Sequence, residues 1–273
     1  MKIKVAGVEL HCDVAGGGPV VLFVHGFPLS GRLWEPAVRR LSSAYRCIVP
    51  DLRGMGRSRG TATATMQDYA EDLAVVLDAV GETGPVVAVG LSMGGYVLFE
   101  FFRRHRGRVR ALVLADTQAV DDKPETRARR QEMIAAVRQR GSSVAAEAMI
   151  EKLFGPDAPA GLRREWLEIM SASPSEGVTA ALQAMADRPD SRPTLAEIDV
   201  PTLIAVGEHD TITPPGVHRE MHEAIRGASL EIVPGAGHML PVEKPEAFGE
   251  ILERFLAELE LGDDPLSNSN TVK

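Results

Sequence analysis

The chain has 273 residues, 44% of them hydrophobic and 25% charged, and a net charge of −8. This ordinary globular balance fits one large α/β domain, alone or with an insertion. The negative charge argues against a general nucleic-acid partner.

Lys2–Val5 and Val8–Val14 read as a short hairpin, and Val20–Val24 as a fully apolar strand of a covered parallel sheet. A loop from His25 to Gly31 follows, then a helix over Leu33–Leu41, a strand over Arg46–Pro50 and a glycine-rich loop, Asp51 to Gly60. Thr65 caps the next helix with Asp68 in its first turn; Leu73, Val76, Leu77 and Val80 keep helical spacing up to Gly81. Val86–Val89 is a strand, Val97–Arg104 lies in the helix after it, and Arg108–Ala115 is another strand. The alternation then stops. From Pro124 to about Asp187 only helical patterns occur, broken at Gly141, Gly155-Pro156 and Ser173-Pro174. Strands return at Thr202–Val206 and Leu230–Val233, with helices near Val217–Ile225 and Pro245–Leu259. The pattern predicts an α/β fold: a doubly wound, mostly parallel eight-stranded sheet over 1–120 and 194–261, with a helical cap over 121–193. The tail, 262–273, has no periodicity and is expected to be disordered, or partly a vector remnant.

The longest apolar region, Pro85 to Phe102, is broken by a Gly-x-Ser-x-Gly turn and cannot serve as a bilayer-spanning helix, so no membrane anchor is expected. Glu9, His11 and Asp13 stand where a secretory leader would need apolar residues. Cys12 and Cys47 lack metal-like spacing, and a reducing cytoplasm is the simplest compartment.

The chemistry centres on Gly90-Leu91-Ser92-Met93-Gly94. A β-branched run enters this motif and an amphipathic segment leaves it, so the serine sits on a tight strand-to-helix turn. Such a turn lifts the hydroxyl into a cleft, with the first N–H groups of the helix aimed at the same spot. A serine nucleophile needs a base, a group that orients the base, and an oxyanion hole. His238 and Asp210 each follow a strand, where ligands of such sheets gather, and the order Ser92, Asp210, His238 suits this architecture. The Phe27 N–H, turned inward by Gly26, and the Met93 N–H would form the oxyanion hole.

Competing readings attach to several of these residues. Asp210 could simply cap Thr211 or Thr213, and His238 could be an ordinary loop histidine. His209 is a rival base and Asp116 a rival acid; His25 is either a loop brace or a second base. Gly54-x-Gly56-x-x-x-Gly60 follows a strand but misses the dinucleotide-loop spacing. His218 and His222 could share a metal on one helix face, though no third ligand is evident. Arg127, Arg129, Arg130, Arg138 and Arg140 are either a solvated face or an attractor for an anionic substrate.

Together, His25-Gly26-Phe27-Pro28, Asp51-Leu-Arg-Gly-Met-Gly-Arg-Ser58, Gly90-Leu-Ser-Met-Gly-Gly95, Gly207-Glu-His-Asp210 and Gly235-Ala-Gly-His238 resemble the α/β-hydrolase fold superfamily, most of all its small esterases and enol-lactone hydrolases. The resemblance covers about Lys2 to Glu260 and weakens in the cap. It implies Ser92 as nucleophile, Asp210 as acid, His238 as base, and Phe27 and Met93 as backbone donors. It argues against haloalkane dehalogenases and epoxide hydrolases, which carry Asp at the position of Ser92. The expectation is a cytoplasmic serine hydrolase acting on a small carboxylic ester or lactone, with no cofactor, no metal, and no nucleic-acid or membrane partner. An enol-lactone hydrolase and a ligand receptor with little turnover are the alternatives. Leu29, Trp34 and Met239 flank the motifs and are expected in the pocket; Met149, Phe154, Trp166, Met170 and Met185 are expected to close it from the cap.

Overall fold

The computed structural model describes residues 1–5, 7–60 and 63–262; the tail from residue 263 on lies outside the described residues. Eight strands form one sheet: β1 (Lys2–Val5), β2 (Val8–Ala15), β3 (Val20–Val24), β4 (Arg46–Pro50), β5 (Val86–Leu91), β6 (Val109–Ala115), β7 (Thr202–Gly207) and β8 (Ser229–Val233). Their spatial order is β1-β2-β4-β3-β5-β6-β7-β8. β2 is antiparallel to both β1 and β4, and every pairing from β4 to β8 is parallel. The order reverses between β3 and β5, so the crevice for a ligand opens at the carboxyl ends of those two strands.

Side chains alternate across the strands and feed two separate cores. Leu22, Ile48, Ala88, Leu112 and Ile204 face one side, against α2 (Met66–Ala79) and α3 (Met93–His105). Phe23, Cys47, Val89, Val113 and Ala205 face the other. There they meet α1 (Glu35–Leu41) and a C-terminal helix over Pro245–Gly262, whose Phe248, Leu252 and Phe255 recur at helical spacing. The segment expected as one helix over Leu33–Leu41 is divided. Gly31–Trp34 is a 3₁₀ turn and α1 begins at Glu35, because Pro36 has no N–H to bond back to Arg32. The cap of α2 follows its sequence signal: Asp68 N–H donates to Thr65 Oγ1 at 3.1 Å, and Thr65 N–H donates to Asp68 Oδ2 at 2.8 Å.

Between β6 and β7 the chain leaves the sheet as α4 (Pro124–Arg140), α5 (Ser143–Leu153), α6 (Ala160–Ser171), α7 (Ser175–Ala186) and the single turn α8 (Arg192–Leu195). The two ends of this insertion are tied together. Arg188 donates to Asp122 Oδ1 at 2.6 Å and to Val120 O at 2.8 Å, and its guanidinium lies 4.2 Å from the centre of the Tyr96 ring on α3. Arg130 on α4 also pairs with Asp122. After β7 come α9 (Pro215–Ala224), β8, a short α10 (Leu240–Glu243) and α11 (Pro245–Gly262). No helix among the described residues is long and apolar enough to cross a membrane.

Candidate active site

Ser92 joins β5 to α3 with φ 55° and ψ −116°, a left-handed conformation that costs a non-glycine residue energy. The surroundings hold it there. Its N–H donates to Ala115 O at 3.0 Å, while its carbonyl accepts from Gly95 N–H at 2.9 Å and from Thr117 Oγ1 at 2.7 Å. A Cβ at Gly94 would come within 2.2 Å of Val24 O, so only glycine lets α3 sit this close to β3. Gly26 passes beside the serine: a Cβ there would lie 3.2 Å from Ser92 Cβ. The loop carrying Phe27 therefore runs along one flank of Ser92, and Met93, first residue of α3, occupies the other. Among the described residues neither the Phe27 N–H nor the Met93 N–H is engaged by a protein acceptor. His25 is buried, with Nδ1 bonded to Gly26 O at 2.8 Å and Nε2 accepting from Leu52 N–H at 2.9 Å. With both ring nitrogens spent, it braces the loop.

Asp210 and His238 meet at the carboxyl ends of β7 and β8. His238 Nδ1 lies 2.7 Å from Asp210 Oδ2, and both residues are buried. Asp210 also accepts from Ile212 N–H, Thr213 N–H and Thr213 Oγ1 at 2.8, 3.0 and 2.7 Å. Burial alone would raise its pKa, but the charge of His238 and the bonds from His238 and Thr213 outweigh it and hold the carboxyl below its ordinary range. The rival base His209 is half exposed, 3.8 Å from Glu208.

The rival acid Asp116 is buried close by, at φ 44°. Its Oδ1 accepts from Gly207 N–H at 2.9 Å, and among the described residues no donor reaches its Oδ2. Burial and the neighbouring Asp210 charge push its pKa well above the carboxylate range, against the pull of the Gly207 bond. Both influences favour the protonated form of Asp116, whereas Asp210 is drawn towards its ionised form. One ligand atom from each of Asp116, Asp210 and His238 lies within 4.8 Å of the others. Asp210 already accepts four hydrogen bonds, which leaves it poorly suited to a metal ion.

The other motif readings find structural roles. Asp51 takes the N–H groups of Gly31 at 2.7 Å and Arg57 at 2.9 Å, so the Asp51–Gly60 loop spends donors on its own carboxylate rather than on a phosphate. His218 is buried and accepts from Thr117 N–H at 3.0 Å, whereas His222 is exposed; they form no ligand pair. Burial lowers the His218 pKa from 6.5 to about 4. The unfolded chain thus binds this proton more readily than the native state. The stability it contributes is complete above pH 6.5 and is lost as pH falls towards 4, at most about 3 kcal/mol. His218→Gln, which keeps an acceptor for Thr117, is expected to flatten that part of the curve. Melting temperatures of both proteins between pH 7 and pH 4 check this, and equal slopes would contradict it.

A cavity of about 830 Å³ opens onto Ser92. Phe27, Met149 and Met185 line it, joined by Tyr96, Met133, Leu182 and Ile212. Leu29, Trp34, Phe154, Trp166, Met170 and Met239, expected in the lining, are buried instead in the core on the α1–α11 side. Trp34 packs at 5.2 Å from Phe23 and 6.1 Å from Phe248. The reason for the others on the insertion is that α5 has a cavity-facing side and a separate core-facing side. Val144, Ala148 and Met149 turn to the cavity, while Ala146, Ile150 and Leu153 join the cluster that holds Trp166 and Met170 of α6. Arg129, Arg140 and Lys152 are exposed residues at the cavity edge, alongside Glu132 and Glu147. Arg127 is instead paired with Asp121, and Arg138 is exposed away from the cavity. On α4, Thr126, Arg129, Met133, Ala136 and Arg140 recur every three or four residues; this stripe is the signal that marks the lining face.

A family model described as alpha/beta hydrolase fold matches residues 19–245. The chain is 26% identical to 3-oxoadipate enol-lactonase 1 of Acinetobacter baylyi, over 93% of its own length and 95% of that relative. It is 28% identical to a pimeloyl-[acyl-carrier protein] methyl ester esterase of Neisseria meningitidis, over 86% and 92%. Among solved structures, a thermophilic esterase from Thermogutta terrifontis superposes with a TM-score of 0.92 at 37% identity, over 95% of this chain and 98% of that one. The enol-lactonase from Burkholderia xenovorans superposes with a TM-score of 0.87 at 26% identity, over 94% and 100%.

Proposed function

The chain belongs to the alpha/beta hydrolase fold family, and from that premise we propose that it cleaves a small carboxylic ester through an acyl-enzyme formed on Ser92. The conformation of Ser92 carries the reading: a strained serine opens on the cavity beside two backbone N–H groups that have no acceptor among the described residues. The bond to Asp210 uses Nδ1 of His238, so Nε2 is the nitrogen that takes the Ser92 proton. Ser92 Oγ attacks the acyl carbon, and the Phe27 and Met93 N–H groups receive the oxyanion. The leaving alcohol takes the proton back from His238. Water, activated by the same ring, then frees the acid and restores Ser92. Asp210, ionised, stabilises the imidazolium in both steps; no metal or cofactor has a role in this scheme. Cys12 and Cys47, both buried and free, fit a reducing compartment.

Ester and lactone relatives both occur among the matches, so lactones are the second substrate class. Multiple-turnover release of p-nitrophenol from short and long esters, alongside ring opening of simple lactones, tests the reading. Saturable binding of these compounds with no turnover of any would overturn it in favour of a receptor.

The helices over the cavity are expected to set chain-length preference. Met149→Ala should shift the ratio of kcat/KM between short and longer acyl esters by about ten-fold or more, since about one to three kcal/mol of apolar contact is at stake. Trp166→Ala should leave that ratio alone and cost stability instead, about 3–5 kcal/mol for a buried aromatic. Steady-state kinetics with a homologous ester series and thermal melts separate the two. A shift at Trp166 but not at Met149 would reverse the assignment.

A further inference from the structure

Glu243 ends α10, five residues after His238, and its carboxylate bonds only to the main chain among the described residues. Oε1 accepts from Gly237 N–H at 3.0 Å and from Met239 N–H at 3.1 Å, the amides on either side of His238. Oε2 accepts from Gly155 N–H at 2.7 Å, in the connection that follows α5. Among the described residues no Lys, Arg or His forms an ion pair with it. One anion thus holds three amides from two distant segments, which are charge-assisted bonds of the stronger kind.

The backbones it joins are already in contact. A Cβ at Gly237 would stand 2.3 Å from Gly155 N, and one at Gly155 would stand 3.0 Å from Gly237 N and 3.2 Å from Glu243 Oε2. On its opposite flank the same loop is fixed to the Asp210 loop by His209 N–H donating to Ala236 O at 2.8 Å. The loop of His238 therefore has two supports: the acid's loop on one side and the end of α5 on the other. Main-chain bonding supplies the first, and Glu243 supplies the second. Because α5 also lines the cavity, the clamp joins the substrate-facing insertion to the base.

We propose that Glu243 is a positioning residue for the reaction, its carboxylate clamping the peptide groups around His238 and fastening them to the end of α5. It touches neither substrate nor the reacting atoms; it fixes where the imidazole stands relative to Ser92. The inference rests on His238 being the base of the proposed hydrolysis. Displacing a catalytic group by about an ångström can cost on the order of a hundred-fold in rate. The loss belongs in kcat, since the cavity lining is untouched.

The test uses Glu243→Gln, which keeps the shape but presents an NH₂ to an N–H donor, and Gly155→Ala, which presses on the clamp from the insertion side. Both are compared with wild type at a temperature where every protein is folded, using p-nitrophenyl acetate and a serine-directed phosphonate. Glu243→Gln should lower kcat by about ten- to a hundred-fold with KM within about two-fold, and should slow phosphonate labelling by the same factor. Gly155→Ala should lower kcat less, and its effect should shrink in the Glu243→Gln background, as coupled residues require. A purely structural Glu243 would instead lower the melting temperature with kcat intact. That result, or a loss confined to KM, overturns the proposal. If Glu243→Gln does not fold, unchanged kcat in Gly155→Ala overturns it alone. A wild-type protein that turns over no ester and takes no label would sink the hydrolase reading rather than the clamp.

Discussion

Ser92→Ala is expected to lose ester turnover by about 10⁴-fold or more in kcat while remaining folded. Alanine can take the same backbone path, because the bonds that hold residue 92 are made by its peptide N–H and carbonyl. No side-chain bond caps α3 at this position, so removing the hydroxyl breaks no hydrogen bond at the turn. What disappears is the atom that attacks. The residual rate should be that of substrate binding and the two N–H donors alone. Kinetics on the purified variant, with its melting curve and its labelling by a phosphonate, give the answer. Retention of a substantial share of the wild-type kcat, or continued labelling at the same site, would remove Ser92 from the role of nucleophile.

Asp210→Asn is expected to be almost as damaging, on the order of 10⁴-fold in kcat, because an amide NH₂ facing Nδ1 selects the wrong tautomer and withdraws the charge that supports the imidazolium. Asp116→Asn is the matched control. Burial and the Asp210 charge already favour the protonated form of Asp116, and an amide oxygen can still accept from Gly207 N–H, so the change there should be at most about ten-fold. Both positions lie in the same buried cluster, and only the ionised carboxylate is bonded to the ring. A larger loss at Asp116 than at Asp210 would move the acid to the end of β6.

Why some of this was legible in the sequence and some was not has a physical cause. Gly-x-Ser-x-Gly between an apolar run and an amphipathic one names a strand, a turn and a helix, because so few residues tolerate that turn. Asp210 and His238 could be placed because each follows an apolar strand, and the carboxyl ends of parallel strands converge. Four of the five helices between β6 and β7 announced themselves by period and by the breaks at Gly141, Gly155 and Ser173. Which face of a helix meets the cavity did not, since period reports burial and not the neighbour: Met149 lines the cavity, while the adjacent Ile150 is buried in the core away from it. The upward pull on the Asp116 pKa was equally hidden, for it comes from burial and from a carboxylate 94 residues away in the chain. Glu243 gave no signal because its partners are amides at 155, 237 and 239, and an amide is present at nearly every residue.

The Arg188–Asp122 tie has a consequence for how such a molecule can be altered. The insertion leaves after β6 and re-enters before β7, two strands paired side by side, and the buried ion pair closes its base like a drawstring. Residues 124 to 186 are thus closed at their base, while Ile150, Leu153, Trp166 and Met170 seat them on the core and Gly155 ties them to Glu243. A change in their cavity-facing residues need not re-lay a strand, provided that Asp122 and Arg188, the core-facing side chains of α5 and α6 and a donor to Glu243 all stay.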